Sequence, residues 1–166
     1  MALIRSQDGN VKVNAPDATP QAISWNGTNQ QTVGQVSSWE VTLNNDNQEV
    51  TSFTDDFAEY INTTKRWTAS VTAFFDPNTA AIGQDEIMEC LLPGSFPGTL
   101  VGTGDQEAQL LFFFYVDDGQ AAGSKDVLYG NALVLSAGIR HTVGDVSRMD
   151  VSLQGCGQLV YTTSGT

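Results

Sequence analysis

Residues 36–77, VSSWEVTLNNDNQEVTSFTDDFAEYINTTKRWTASVTAFFDP, constrain the fold more than any other part of the chain. Trp39, Val41 and Leu43 alternate with Ser38, Glu40, Thr42 and Asn44, and Trp67, Ala69, Val71, Ala73 and Phe75 alternate with Thr68, Ser70 and Thr72. A period of two sends successive side chains to opposite faces of a strand. Each run therefore predicts one apolar face and one face of small hydroxyl and amide groups. Residues 44–48 have the composition of a turn. Phe53, Phe57, Tyr60 and Ile61 follow at helical spacing, with Thr54 placed to cap a short helical turn and Asp55 and Asp56 at its positive end. Two readings of that acidic-aromatic segment stand: it tucks onto its own domain, or it docks on a neighbouring subunit.

The flanking regions extend the β pattern. In residues 1–35 the NVKVN and QAISW runs suggest short strands, Asn26-Gly27 marks a hairpin turn, and residues 29–32 read as polar and mobile. This irregular segment is expected to belong to the same domain as residues 36–166. Residues 79–92 are the best helix candidate: Ile87, Met88, Leu91 and Leu92 form a stripe, Asp85, Glu86 and Glu89 face outward, and Pro93-Gly94 ends it. QLLFFFYV at 109–116 is apolar enough for a strand buried on both faces. Residues 126–141 form an apolar-rich run interrupted by Gly130 and Gly138, Gly144-Asp145 supplies a turn, and residues 146–161 form a last extended run. Strands, one helix, then strands, without βαβ alternation, predict a mainly β fold: an antiparallel sandwich or barrel with one packed α-helix.

Composition narrows the function. Nineteen Asp and Glu face seven Lys and Arg, a net charge of −12, and only Lys65 and Arg66 are adjacent basic residues. Tight nucleic-acid binding needs clustered cations to displace counterions, so it is not expected. The opening Met1-Ala-Leu-Ile soon meets Arg5, Gln7 and Asp8, which predicts no secretion signal, and no apolar run is long enough for a membrane span. Cys90 and Cys156 are then expected to stay reduced.

The search for catalysis finds little. His141 is the single histidine, and Ser136 or Ser147 with Asp145 could be nominated as its partners, but neither serine lies in a nucleophile elbow. Cys90, Cys156 and His141 lack paired metal-ligand spacing. Asp117-Asp118-Gly119 and Asp8-Gly9-Asn10 lack the register of a calcium loop. No phosphate-binding glycine pattern is present. No catalytic residue, metal or cofactor is expected.

The chain resembles the major tail protein, or tail tube protein, family of long-tailed bacteriophages. The resemblance is carried by Ser38-Trp39-Glu40-Val41-Thr42-Leu43, Glu49-Val50-Thr51-Ser52-Phe53-Thr54-Asp55, Glu59-Tyr60-Ile61, Arg66-Trp67-Thr68-Ala69-Ser70-Val71-Thr72 and Phe75-Asp76-Pro77. Asp150-Val151-Ser152-Leu153-Gln154-Gly155-Cys156-Gly157 resembles the family's closing strand. It spans roughly residues 36–161; the family often has Gly where Thr54 stands, and residues 1–35 match no part of it. The resemblance implies a structural virion protein, assembled in the host cytoplasm, whose rings, usually hexameric, stack into a hollow tube. Strands from each subunit would join into one barrel around a lumen used by DNA and a tape measure protein, with other tail proteins as partners and no membrane insertion. Glu40, Thr42, Thr68, Ser70, Thr72, Asp150 and Ser152 are then the lumen candidates, and an acidic bore would let DNA slide. Phe53, Asp55, Asp56, Phe57, Tyr60 and Ile61 are the inter-subunit candidates. A different class is also open: a β-sandwich binding module, for carbohydrate or virion decoration. It would need an exposed aromatic platform drawn from Trp25, Trp39 and Trp67.

Overall fold

A computed structural model describes residues 10–14, 30–50, 57–75, 83–91, 109–116 and 124–165. In chain order they form β1 (Val11–Asn14), β2 (Gln30–Thr32), β3 (Val36–Glu49), β4 (Tyr60–Phe74), α1 (Gly83–Leu91), β5 (Gln109–Val116), β6 (Ser124–Arg140) and β7 (Arg148–Gly165). All seven strands belong to one antiparallel sheet in the order β2-β1-β5-β6-β7-β4-β3. The antiparallel, one-helix architecture expected from the alternation is the one observed.

The sheet folds onto itself. β3 and β5 are separated by three strands, yet Trp39 of β3 meets Phe114 of β5 with ring centroids 5.6 Å apart. β6 and β7 make this possible because they are long and serve both halves. Residues 126–133 of β6 pair with β5, and residues 148–154 of β7 pair with β4. Register shifts between Tyr129 and Asn131, and between Val134 and Ser136, fall in the middle of the β6–β7 ladder. An extra residue on one strand bends it and increases its twist, which turns an open sheet into two facing layers.

One core fills the curl. It contains Val11 and Val13 of β1, Ala69, Val71 and Ala73 of β4, Phe112 and Phe114 of β5, and Met149, Val151 and Leu153 of β7. β5 is buried on both faces, as its apolar run predicts: Leu111 and Phe113 point the other way, and Phe113 stacks on Tyr129 at 5.7 Å. Burying side chains of this size contributes about 1.5–3 kcal/mol each. Helix α1 packs on β6, β1 and β2. Gln84 joins it to the sheet by donating from Nε2 to the carbonyls of Val33 and Phe74, both at 2.8 Å.

Four expectations need correction. Residues 44–48 are not a turn; β3 continues to Glu49, with a bulge between Asn45 and Asn47. Backbone pairing with residues 60–65, the Arg66–Asp46 ion pair and a 2.9 Å bond from Thr63 Oγ1 to the Asp46 carbonyl outweigh the local turn preference. Tyr60 and Ile61 belong to β4 rather than to a helical turn, because their backbones pair with Glu49 and Gln48; residues 53–56 lie outside the described residues. Residues 30–32 are β2, paired with β1. Glu86 does not face outward: it is only 2% exposed, because α1 touches strands on more than its apolar stripe. The side chain of Glu89 lies outside the described residues.

Candidate assembly surface

The alternation of β3, β4 and β7 puts the apolar residues into the core and leaves the other parity on one outer face. The registers align that parity across strands. Glu40 lies opposite Ser70, Ser70 opposite Ser152, and Ser152 opposite Ser136. One step along, Ser38, Thr72, Asp150 and Gly138 form the next row; one step the other way, Thr42 pairs with Thr68 and Thr68 with Gln154. All seven residues singled out from the sequence, Glu40, Thr42, Thr68, Ser70, Thr72, Asp150 and Ser152, therefore share one face. Four strands at about 4.8 Å spacing make it about 14 Å wide. Thr72 Oγ1 donates to Asp150 Oδ1 at 2.8 Å, and Ser37 Oγ donates to the Thr72 carbonyl at 3.1 Å.

The charge on this face is mixed rather than acidic. Arg66, Arg148 and Arg140 have the same parity as Thr68, Asp150 and Gly138, so three of the chain's seven cations join Glu40 and Asp150 here. Arg66 is ion-paired with Asp46, and the Arg148 guanidinium lies 5.9 Å from the Phe74 ring centroid. The arginines were missed because their parity emerges only once β6 and β7 are put in register across residues 141–147. Ser38, Ser136 and Gln154 join the face for the same reason.

Beside this face is an open edge. Among the described residues nothing pairs with the outer side of β3, which is 14 residues long. The opposite edge, β2, has three residues. A long unpaired edge is a template for pairing with another chain.

Beyond Trp67 the β3–β4 pair leaves the core. Residues 60–66 of β4 are all exposed and pair only with β3. Phe57, Tyr60 and Ile61 are exposed on this ribbon, whereas Phe53, Asp55 and Asp56 lie outside the described residues.

The nominated chemistry does not assemble. His141 Nδ1 and Ser147 Oγ are 2.7 Å apart, but Asp145 Oδ1 accepts the backbone N–H of Val146, and Ser136 is on the polar face beside Ser152. No third group orients the imidazole among the described residues. No group of three His, Cys, Asp or Glu among them is placed to hold a metal ion. No disulfide joins Cys90 and Cys156. No helix among the described residues is long and apolar enough to cross a membrane.

An aromatic binding platform is equally absent among the described residues. Trp67 is 2% exposed and donates from Nε1 to the Gly157 carbonyl at 3.3 Å. Trp39 is half-buried against Phe114, and Trp25 lies outside the described residues.

A folded-over antiparallel sheet with one helix, a long free edge and a hydroxyl-lined outer face defines a class found in tubular phage tails. Solved structures of this fold include a chain from the tail of an empty gene transfer agent particle, refined helically with C6 symmetry. It has a TM-score of 0.63 and 12% identity over 95% of this chain and 98% of that chain. A chain of the native gene transfer agent virion matches with a TM-score of 0.62, 12% identity and the same coverage. The SPP1 tail tube, from solid-state NMR and cryo-EM, matches with a TM-score of 0.65 and 15% identity over 99% of this chain and 80% of that chain. No family model and no curated protein matches the sequence.

Proposed function

We propose that the chain is a structural subunit of a phage-type tail tube, closing into rings, hexameric like the C6 assembly of its structural relative, that stack around a channel. The observation that carries this reading is the free 14-residue edge of β3, contiguous with the polar face, in a fold shared with chains of tail assemblies. Edge-to-edge addition of the next subunit would satisfy the open backbone groups, and rotational symmetry would remove the edge altogether. The face bearing Glu40, Thr42, Thr68, Ser70, Thr72, Asp150 and Ser152 would then line the lumen. Short hydroxyls offer a sliding polyanion no continuous row of cations, and the net charge of −12 opposes adhesion. In this role the protein acts without catalysis, in the virion, beside a tape measure protein and other tail proteins. Phe53, Asp55, Asp56, Phe57, Tyr60 and Ile61 would contact a neighbouring subunit. Burial of Trp67 disfavours the carbohydrate-binding alternative.

Electron microscopy and light scattering of the purified protein over a concentration series test the proposal. Rings or tubes are expected at high concentration. A protein that stays monomeric at every concentration, with a folded circular dichroism spectrum, overturns it.

A further inference from the structure

The two ends of the polar-faced sheet are chemically unlike. At one end is the β3–β4 ribbon, where seven residues past Thr42 extend about 20 Å. A two-stranded ribbon is marginal by itself in water, yet this one exposes Phe57 by 84%, with Tyr60 and Ile61 beside it. Its tip carries Glu49 and Glu59, whose segments are joined by the 2.9 Å bond from the Val50 N–H to the Glu59 carbonyl. Lys65 and Arg66 sit farther back, opposite Asn45 and Asn44, and Arg66 is paired with Asp46.

At the other end is the β6–β7 turn. Val143 is 95% exposed, and Val146 and Ile139 are exposed near it. Arg140 lies directly opposite Arg148. Like charges facing each other across strands are destabilising, and neither guanidinium has a carboxylate in ion-pair range among the described residues. Asp145, the acid in the turn, accepts the backbone N–H of Val146, and Asp150 accepts the Thr72 hydroxyl. His141 adds a titratable ring bonded to Ser147.

We infer that the ribbon tip of one subunit docks on the β6–β7 turn of a second copy placed end to end along the strands. Phe57 and Tyr60 cover Val143 and Val146, and Glu49 and Glu59 face Arg140 and Arg148. This rests on the tube reading and deepens it. The tip and the turn point in opposite directions along the same sheet, since β3 runs toward the tip and β6 toward the turn. The contact is therefore heterologous and cannot close within a pair of copies; it repeats along an axis with every ring facing the same way. An acidic apolar tip against a basic apolar turn also makes tip-to-tip and turn-to-turn joints electrostatically unfavourable. The contact sets the polarity of the stack.

Charge reversal tests this. The R140E/R148E double variant is expected to keep its circular dichroism spectrum and its rings but to raise the concentration needed for tubes by roughly tenfold or more. Adding E49R and E59R to the same chain restores tubes, and the E49R/E59R pair alone loses them. High salt weakens tubes before rings, because the charges are exposed. Unchanged tube formation by R140E/R148E overturns the inference, as does loss of rings together with tubes, or failure of the fourfold reversal to restore them. If R140Q/R148Q leaves tubes intact but weakens their binding of a short DNA duplex, the arginines serve a polyanion and the inference also fails. Failure of the unmodified chain to form any ring is a separate outcome that sinks the tube reading itself.

Discussion

Gly155→Ala should destabilise the subunit severely although it adds one methyl group. A Cβ built on Gly155 would lie 2.2 Å from Trp67 Cε2 and 2.3 Å from both Cδ2 and Nε1. The indole has nowhere to go: it is 2% exposed, its Cζ2 would already be 2.9 Å from a Cβ on Gly130, and its Nε1 donates to the Gly157 carbonyl. Ordinary overpacking costs about 1–3 kcal/mol, and losing a buried Trp altogether costs about 3–5 kcal/mol. Expelling the ring falls between these, so the expected loss is about 3 kcal/mol, or roughly 6–12 °C in Tm for a chain of this size. Urea unfolding of unassembled subunits, followed by circular dichroism, measures it. A double-mutant cycle with Trp67→Leu isolates the cause, because a smaller side chain leaves room for the methyl. In that background Gly155→Ala should cost no more than about 0.5 kcal/mol, a coupling well above that of independent sites. A cost below about 0.5 kcal/mol in the native background, or one of equal size with Trp67 replaced, would refute the reasoning.

Two further outcomes are expected. Gln84→Ala leaves the carbonyls of Val33 and Phe74 without their 2.8 Å donor, so urea unfolding should show a loss of about 2–4 kcal/mol at one to two unsatisfied groups. Stability should also depend on pH at both extremes. The Asp126 carboxyl is held below its ordinary 3.8 by hydrogen bonds from Tyr161 and Thr163. Its contribution is present above 3.8 and lost as pH falls through the lower folded value; Asp126→Asn should flatten that acid limb. Burial pushes the Tyr115 phenol above 10.0, opposed by its hydrogen bond with Gln30. Its contribution is complete below 10.0 and lost as pH rises through the folded value. Ultraviolet titration, with Tyr115→Phe as the difference, checks the direction.

Much of the architecture was legible because it follows from local alternation. Trp39-Val41-Leu43 and Ala69-Val71-Ala73 each allow one burial pattern as strands, and slipping either by one residue would put hydroxyls in the core. That is enough to place Glu40, Thr42, Thr68, Ser70 and Thr72 on a common face before any fold is known. The run 109–116 announced a strand buried on both sides in the same way. Local preference misled at residues 44–48 and 60–61. There the composition favours a turn and a helix, but backbone pairing across the ribbon satisfies every second N–H and C=O, and it prevails.

The amino-acid sequence by itself determined which side of each strand is apolar, since a two-residue period leaves one solution, and it set the overall negative charge. Only the tertiary structure decided which strands are neighbours. That choice put Arg140 opposite Arg148, seated Trp67 on Gly155, and left β3 as a 14-residue free edge. These are contacts between residues up to 90 positions apart. They depend on two bulges in the β6–β7 ladder that fold the sheet over, and a bulge is a compromise among all the strands it joins rather than a preference of the residues within it.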